Sequence, residues 1–246
     1  MQSLLETKNV SKTFGGLSAL KEVSFDVQED EIVGMIGPNG AGKTTMFDII
    51  TGLQRPSGGD VYFEGRSIRR LLPHSICKLG IARTYQNVRP FLNHTVRQNI
   101  EVGIYYGRGF PGTEDDGRKT DEILDLIKLK SKQDSLAKNL PIEQRKMIEV
   151  GRALATNPKL LMLDEPMAGL NPFEVVSFVE LIKILRERKI TVLIVEHVMR
   201  AISSACTRVI VLHHGEKLVE GTPGEVLSNK TVVDIYLGES YSNPSS

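Results

Sequence analysis

Gly37-Pro38-Asn39-Gly40-Ala41-Gly42-Lys43-Thr44, with Thr45 behind it, fits the spacing G-x-x-x-x-G-K-[ST]. Glycines at these positions let backbone N–H groups turn inward on an anion, and the amino end of a following helix adds partial positive charge. Lys43 brings a point charge to the β- and γ-phosphates, and Thr44 offers a hydroxyl to Mg²⁺, which takes oxygen ligands. The loop alone implies a bound nucleoside triphosphate and leaves open what the binding drives. Farther on, the apolar run Leu160-Leu161-Met162-Leu163 ends in Asp164-Glu165. Asp164 is suited to hold Mg²⁺ through water and Glu165 to polarise an attacking water. Two acids closing a buried strand have little packing rationale, and together with Lys43 they read as a hydrolytic pair.

Such residues need elements to position them. Ile32–Ile36 reads as a buried strand feeding the glycine loop, and Lys43–Leu53 as the helix that leaves it. Sheet-like runs return at Lys159–Leu163, Thr191–Val195 and Arg208–Leu212, with a helix over Pro172–Arg188 whose proline suits a first turn. Short apolar runs alternating with helical periods give an α/β class with a mostly parallel sheet. Val23, Phe25 and Val27 alternate with polar neighbours, and Asp60–Phe63 follows a turn-rich stretch, so a small antiparallel β layer is expected beside that sheet. From about residue 88 to 158 the strand signal vanishes, and helical patterns over Val96–Tyr105, Asp121–Leu129 and Ile142–Thr156 predict a helical subdomain. Within it Gly107–Gly117 is expected as an exposed loop, its acids Glu114, Asp115 and Asp116 forming a solvated surface. The division is one domain over about 1–238 and a frayed polar tail over about 239–246.

The chain has 246 residues, 31 Lys+Arg against 30 Asp+Glu, and a formal charge of +1. That balance argues against nucleic acid as a partner and against a polybasic membrane surface. The longest apolar runs fall far short of the roughly 18 residues that cross a bilayer, and no secretory signal opens the sequence, so a cytosolic location is expected. Cys77 and Cys206 are far apart and suggest neither a metal site nor a disulfide scaffold.

In order along the chain these features resemble the ATP-binding-cassette ATPases over nearly the whole sequence: Phe14-Gly15-Gly16, the phosphate loop, Gln86, a signature region, Asp164-Glu165, Ala168-Gly169-Leu170-Asn171 and His197. The resemblance implies a RecA-like core sheet with an antiparallel β layer and a helical subdomain. It implies that Phe14 stacks on adenine, that Gln86 contacts Mg²⁺ or water and senses a transmembrane partner, and that Glu165 is the general base. Asn171 would belong to the D-loop, and His197 would contact the γ-phosphate. Gly80–Phe91, Ala168–Pro172, Gly221-Thr222-Pro223 and Tyr236-Leu237-Gly238 are similar to the ATPases of branched-chain amino-acid importers. Those systems carry two cytosolic ATPases, two membrane subunits and an external binding protein, and the segment of about Asn87–Val96 would receive a membrane subunit's coupling helix. An exporter or lipid-handling ATPase, and an ATP-binding regulatory subunit with weak hydrolysis, are the alternatives.

One region departs from the family. Its usual Leu-Ser-Gly-Gly-Gln stands here as Leu140-Pro141-Ile142-Glu143-Gln144. In the family this motif binds the γ-phosphate held by the other subunit's loop; Pro141 has neither hydroxyl nor N–H. Glu143 brings an anion to the place of a phosphate, a repulsion of roughly 1 to 4 kcal/mol at about 4 Å. The following helix still carries Arg145, Lys146 and Arg152, and its amino end could favour phosphate. An asymmetric heterodimer with a second ABC ATPase is therefore expected over a homodimer, on the cytoplasmic face of the inner membrane.

Overall fold

A computed structural model describes residues 3–86, 89–108 and 115–242. Along the chain run β1 (Leu5–Phe14), β2 (Leu17–Val27), β3 (Ile32–Ile36), α1 (Lys43–Ile50), β4 (Gly58–Phe63), β5 (Arg66–Ser67), α2 (Pro73–Leu79) and β6 (Ile81–Arg83). There follow α3 (Val96–Tyr106), α4 (Asp115–Leu126), α5 (Ile142–Ala155), β7 (Leu160–Asp164), α6 (Pro172–Glu187), β8 (Thr191–Val195), α7 (Met199–Ala205), β9 (Arg208–His213), β10 (Glu216–Gly221), α8 (Pro223–Ser228) and α9 (Lys230–Ser242).

The central sheet has the order β10-β9-β3-β8-β7-β6, parallel except for the edge strand β10. Its β3, β7 and β8 are buried along their whole length, as a parallel sheet covered on both faces requires. On one face Met35, Met162, Leu193 and Ile210 pack with Phe47 and Ile50 of α1 and with Leu20, Phe25 and Phe63 of the second sheet. That second sheet is antiparallel, ordered β2-β1-β4-β5, and pairs Leu5 with Val27 and with Phe63. On the other face Leu161, Leu163, Ile194 and Val211 pack with Leu154 of α5, Phe178 and Ile182 of α6 and Ile202 of α7. Val96, Ile100, Leu124 and Ile148 form a separate small core among α3, α4 and α5.

The expected α/β class, β layer and helical region are all present. Boundaries move for local reasons. The helix α1 stops at Ile50, short of the expected Leu53, because Gly52 takes a left-handed φ of 75° just beyond the cap at Thr51. Helix α4 begins at Asp115, earlier than the expected Asp121. Asp115 and Asp116 favour its amino end, and Arg118 bonds both Asp115 and Glu122. Glu114 lies outside the described residues; the other two acids of the trio are thus helical, in place of the expected loop. At the carboxyl end α9 runs through Ser242, covering the first part of the expected tail, and residues 243–246 lie outside the described range.

A candidate nucleotide site at the carboxyl ends of the parallel strands

Because β3, β6, β7 and β8 run the same way, the residues that follow each of them meet at one edge of the sheet, where open α/β sheets bind ligands. The phosphate loop leaves β3 and enters α1. Gly37 and Gly42 are demanded by its geometry. Their φ values are 150° and 102°, and a Cβ would fall 2.1 Å from the Leu212 carbonyl oxygen at the first and 2.6 Å from that of Ala19 at the second. Lys43 is 5% exposed, and its Nζ donates to the carbonyls of Gly37 at 2.6 Å and Pro38 at 2.9 Å. These bonds hold the ammonium under the loop.

The loop lines an open cleft of about 920 Å³ with Asn39, Gly40, Ala41, Gly42, Lys43, Thr44 and Thr45, which Phe14, Gln86 and Glu165 also border. Phe14 closes β1 with its ring 45% exposed and carries the Lys12 ammonium 4.8 Å from its centroid. Its open face suits a stacked base. The loop's N–H groups fit phosphate. The Thr44 hydroxyl, the Asp164 carboxylate and the Gln86 side-chain carbonyl are hard oxygen donors of the kind Mg²⁺ takes.

Three of the expected residues are brought into direct contact. Gln86 Nε2 donates to Glu165 Oε2 at 2.7 Å, and His197 Nε2 lies 3.0 Å from Glu165 Oε1. Glu165 follows β7 with φ 48°, a left-handed value a non-glycine residue holds only at a cost of order 1–3 kcal/mol. Its N–H donates to the Val195 carbonyl at 2.9 Å, which pins the turn. His197 meets the cleft through Glu165.

Asp164, 3% exposed, ends β7. Burial pushes its carboxyl above the usual range, and the neighbouring Arg83 guanidinium pulls the other way. Arg83 Nη2 donates to Asp164 Oδ2 at 2.7 Å and Nη1 to Asp48 Oδ1 at 2.6 Å. The sequence gives no sign that Arg83 ends a strand, nor of its partners. Glu196 was also missed: its buried carboxylate accepts the N–H groups of Met167 at 2.6 Å, His197 at 3.0 Å and Val198 at 3.3 Å. It thereby joins the turn after β7 to the turn after β8. Burial drives its pKa up while those N–H donors oppose the shift.

The signature stretch stands apart from this cleft. Leu140 is 6% exposed and belongs to the helical core, Pro141 is the N-cap of α5 without a side-chain bond, and Ile142 is 53% exposed. Glu143 and Gln144 border a smaller cavity of about 350 Å³ with Met147, Leu170 and Phe173. The three cations of α5 point to backbone oxygens. Arg145 Nε donates to the Leu140 carbonyl at 2.7 Å. Lys146 Nζ donates to the carbonyls of Pro166, at 3.0 Å, and Ala168. Arg152 donates to the Arg89 carbonyl at 3.2 Å. Asn171 caps α6: its Oδ1 accepts the N–H groups of Phe173 and Glu174 at 3.0 and 3.1 Å, and Glu174 accepts the Asn171 N–H at 2.8 Å.

The sequence model described as "ABC transporter" matches residues 20–168. The high-affinity branched-chain amino acid transport ATP-binding protein BraF of Pseudomonas aeruginosa is 37% identical, over 96% of this chain and 98% of its own. LivG of Salmonella typhimurium, which bears the same description, is 38% identical over 97% and 99%. Among solved structures, the ADP conformation of MJ1267, an ATP-binding cassette of an ABC transporter, superposes with TM-score 0.88 at 34% identity, covering 97% of this chain and 100% of that one. A dimeric bacterial ABC transporter cassette, MJ0796, superposes with TM-score 0.80 at 28% identity, over 89% of this chain and 98% of its own. With a phosphate loop, a strand-end acid pair and relatives matched from end to end, the chain belongs to the ABC transporter family as an ATP-binding cassette.

Proposed function

We propose that this chain is an ATP-hydrolysing subunit that powers import of branched-chain amino acids. The observation that carries the reading is Glu165, bonded on one side to Gln86 and on the other to His197 beside the phosphate loop; the relatives supply the transported substrate. ATP lies with its base on Phe14 and its phosphates over the loop N–H groups and Lys43. Glu165 orients a water and accepts its proton as the water oxygen bonds to the γ-phosphorus and the bond to the β–γ bridging oxygen breaks. His197 fixes Glu165 and reaches the γ-phosphate, and Lys43 with the loop amides stabilises the charge that develops on transfer. Thr44, Gln86 and Asp164 would hold Mg²⁺, which when bound would supply divalent charge to the phosphate oxygens.

The helical region of about 88–158 forms one subdomain of a single ATPase domain of about 1–238. Its signature residues Leu140–Gln144 serve a partner's nucleotide, which is consistent with their distance from the cleft of this chain. With Pro141 lacking a donor and Glu143 adding a carboxylate, a second ABC ATPase with an ordinary signature is the fitting partner, giving one competent and one impaired site. A groove of about 350 Å³ lined by Cys77, Tyr85, Tyr106, Glu149 and Arg152, with Tyr106 77% exposed, is suited to a helix of a membrane subunit. Asn87 and Val88, which the sequence adds to that surface, lie outside the described residues. No helix among the described residues is long and apolar enough to cross a membrane. Peripheral attachment through two permease subunits, on the cytoplasmic side of the inner membrane, therefore accounts for membrane association; an external binding protein acts only indirectly.

The test is the steady-state ATPase rate of the purified chain against its own concentration, with Glu165→Gln as background. A rate at background that rises only when a second ATPase and the permeases are added is the expected result. A rate per chain that climbs with its own concentration would overturn the heterodimer.

A further inference from the structure

Between the nucleotide cleft and the groove walled by Tyr85 and Tyr106 lies a buried cation that the hydrolytic scheme leaves unused. Arg83 ends β6 with its side chain 5% exposed. Its two terminal nitrogens reach acids on different elements, Asp48 of α1 at 2.6 Å and Asp164 of β7 at 2.7 Å. Its guanidinium carbon stands 5.4 Å from the centroid of the Phe47 ring and 5.0 Å from that of Tyr85, within the range where aromatic faces attract a cation. Among the described residues its Nε has no hydrogen-bond partner. A buried ion pair is weak evidence of a stabilising role, because apolar residues of like volume often do as well. What this arrangement does supply is direction. By holding Oδ2 of Asp164, the guanidinium fixes the plane of that carboxylate and with it the direction of Oδ1.

Tyr85 gives the hub a second connection. It is 43% exposed, borders the groove, and is the residue immediately before Gln86, which bonds Glu165. Two consecutive residues therefore reach both acids of the site, Gln86 directly and Tyr85 through Arg83. Resting on the reading of Asp164 as the acid that holds Mg²⁺ and of the Tyr85 groove as a docking surface, we infer that Arg83 is a positioning residue that orients the Asp164 carboxylate for the metal and ties that orientation to Tyr85 on the groove wall. A helix pressed into the groove moves the ring that caps the guanidinium. The guanidinium, held between two acids, carries the displacement to Asp164.

The test is binding of a fluorescent ATP analogue to the full chain, titrated with Mg²⁺ and repeated in EDTA. Arg83→Lys keeps the charge and loses the two-pronged geometry. The Mg²⁺ concentration at half effect is expected to rise about tenfold, the usual size of losing an orienting partner of a metal ligand, with affinity in EDTA unchanged. Tyr85→Leu, an exposed substitution that removes the aromatic cap, is expected to raise the same quantity by about two- to fivefold, and the double variant by no more than Arg83→Lys alone. A Mg²⁺ response unmoved in Arg83→Lys at wild-type melting temperature overturns the inference, as does an equal loss of binding with and without Mg²⁺. Should Arg83→Lys fail to fold, Tyr85→Leu decides, and an unmoved Mg²⁺ response there sinks the link. Asp164→Asn separates the two layers. If it leaves the Mg²⁺ response unchanged, the reading of Asp164 falls and takes the inference with it; if it shifts the response while Arg83→Lys does not, only the inference falls.

Discussion

At the cleft, four parallel strands each deliver one part: the phosphate loop after β3, Gln86 after β6, Asp164 and Glu165 at the end of β7, and His197 after β8. Glu165 is held from both sides, its backbone is pinned to Val195, and the loop glycines stand where no side chain fits. At the amino end of α5, where the proposed function sets the corresponding task for a partner's phosphate, a single helix terminus offers fewer parts. Pro141 caps the helix without a side-chain bond, Glu143 sits in its first turn, and Arg145, Lys146 and Arg152 are tied to carbonyls of the chain. A site gathered from several strand ends depends on the whole sheet and persists with it. A site written in one helix turn would be altered by two substitutions without disturbing the fold.

The sharpest way to break this comparison is Glu165→Gln in the assembled complex. If the cleft is the working site, phosphate release falls by about 10²- to 10⁴-fold, the usual contribution of a positioned base, with nucleotide binding retained. A loss smaller than tenfold would mean that the competent site is elsewhere and that this chain regulates. Next in size is the paired change Pro141→Ser with Glu143→Gly. Relieving an anion–phosphate repulsion of roughly 1 to 4 kcal/mol and restoring a hydroxyl raises turnover about fivefold or more. Unchanged turnover would put the two regions on an equal footing.

Lys146 tests whether the regions are mechanically joined. It lies on the signature helix, 8% exposed, and donates to Pro166 and Ala168 between the acid pair and α6. Burial lowers its pKa, with Glu196 and Glu149 opposing. Lys146→Met strands two carbonyls, and hydrogen bonds from a charged donor are worth about 1.5–3 kcal/mol each. The measured unfolding free energy is expected to drop by about 3 kcal/mol, whereas an unshifted denaturation midpoint would mean that α5 and the turn after β7 move independently.

Much of this was legible in the sequence where the signal is local. The glycine loop, the apolar runs that become β3, β7, β8 and β9, and the acids at the end of β7 all lie within windows of a few residues, and their periods survive folding unchanged. What escaped was non-local or short. The pairing of Arg83 with Asp164 spans 81 positions, and that of Met167 with Glu196 spans 29. The three-residue β6 is a strand only because β7 lies beside it, and it carries too little pattern to be read alone. The cations of α5 were legible as charges, but their side chains turn inward, which a helical period by itself does not settle for a long flexible residue.

Asn171 supplies the finest discrimination, since it stands in the turn between the acid pair and α6 and has two possible roles. Its hydrogen bonds are those of a capping box: Oδ1 accepts from Phe173 and Glu174, and Glu174 closes the loop on the Asn171 N–H. If capping is its role, Asn171→Ala costs about 1 kcal/mol, lowers the melting temperature by about 2–4 °C, and leaves turnover of the complex unchanged within about twofold. Asn171→Asp, an equally good cap, should restore the melting temperature. If turnover instead falls about tenfold in both variants while the melting temperature recovers in Asn171→Asp, the amide is read by the partner across the interface. The proposed division between a complete cleft and an impaired signature would then extend to the turn that lies between them.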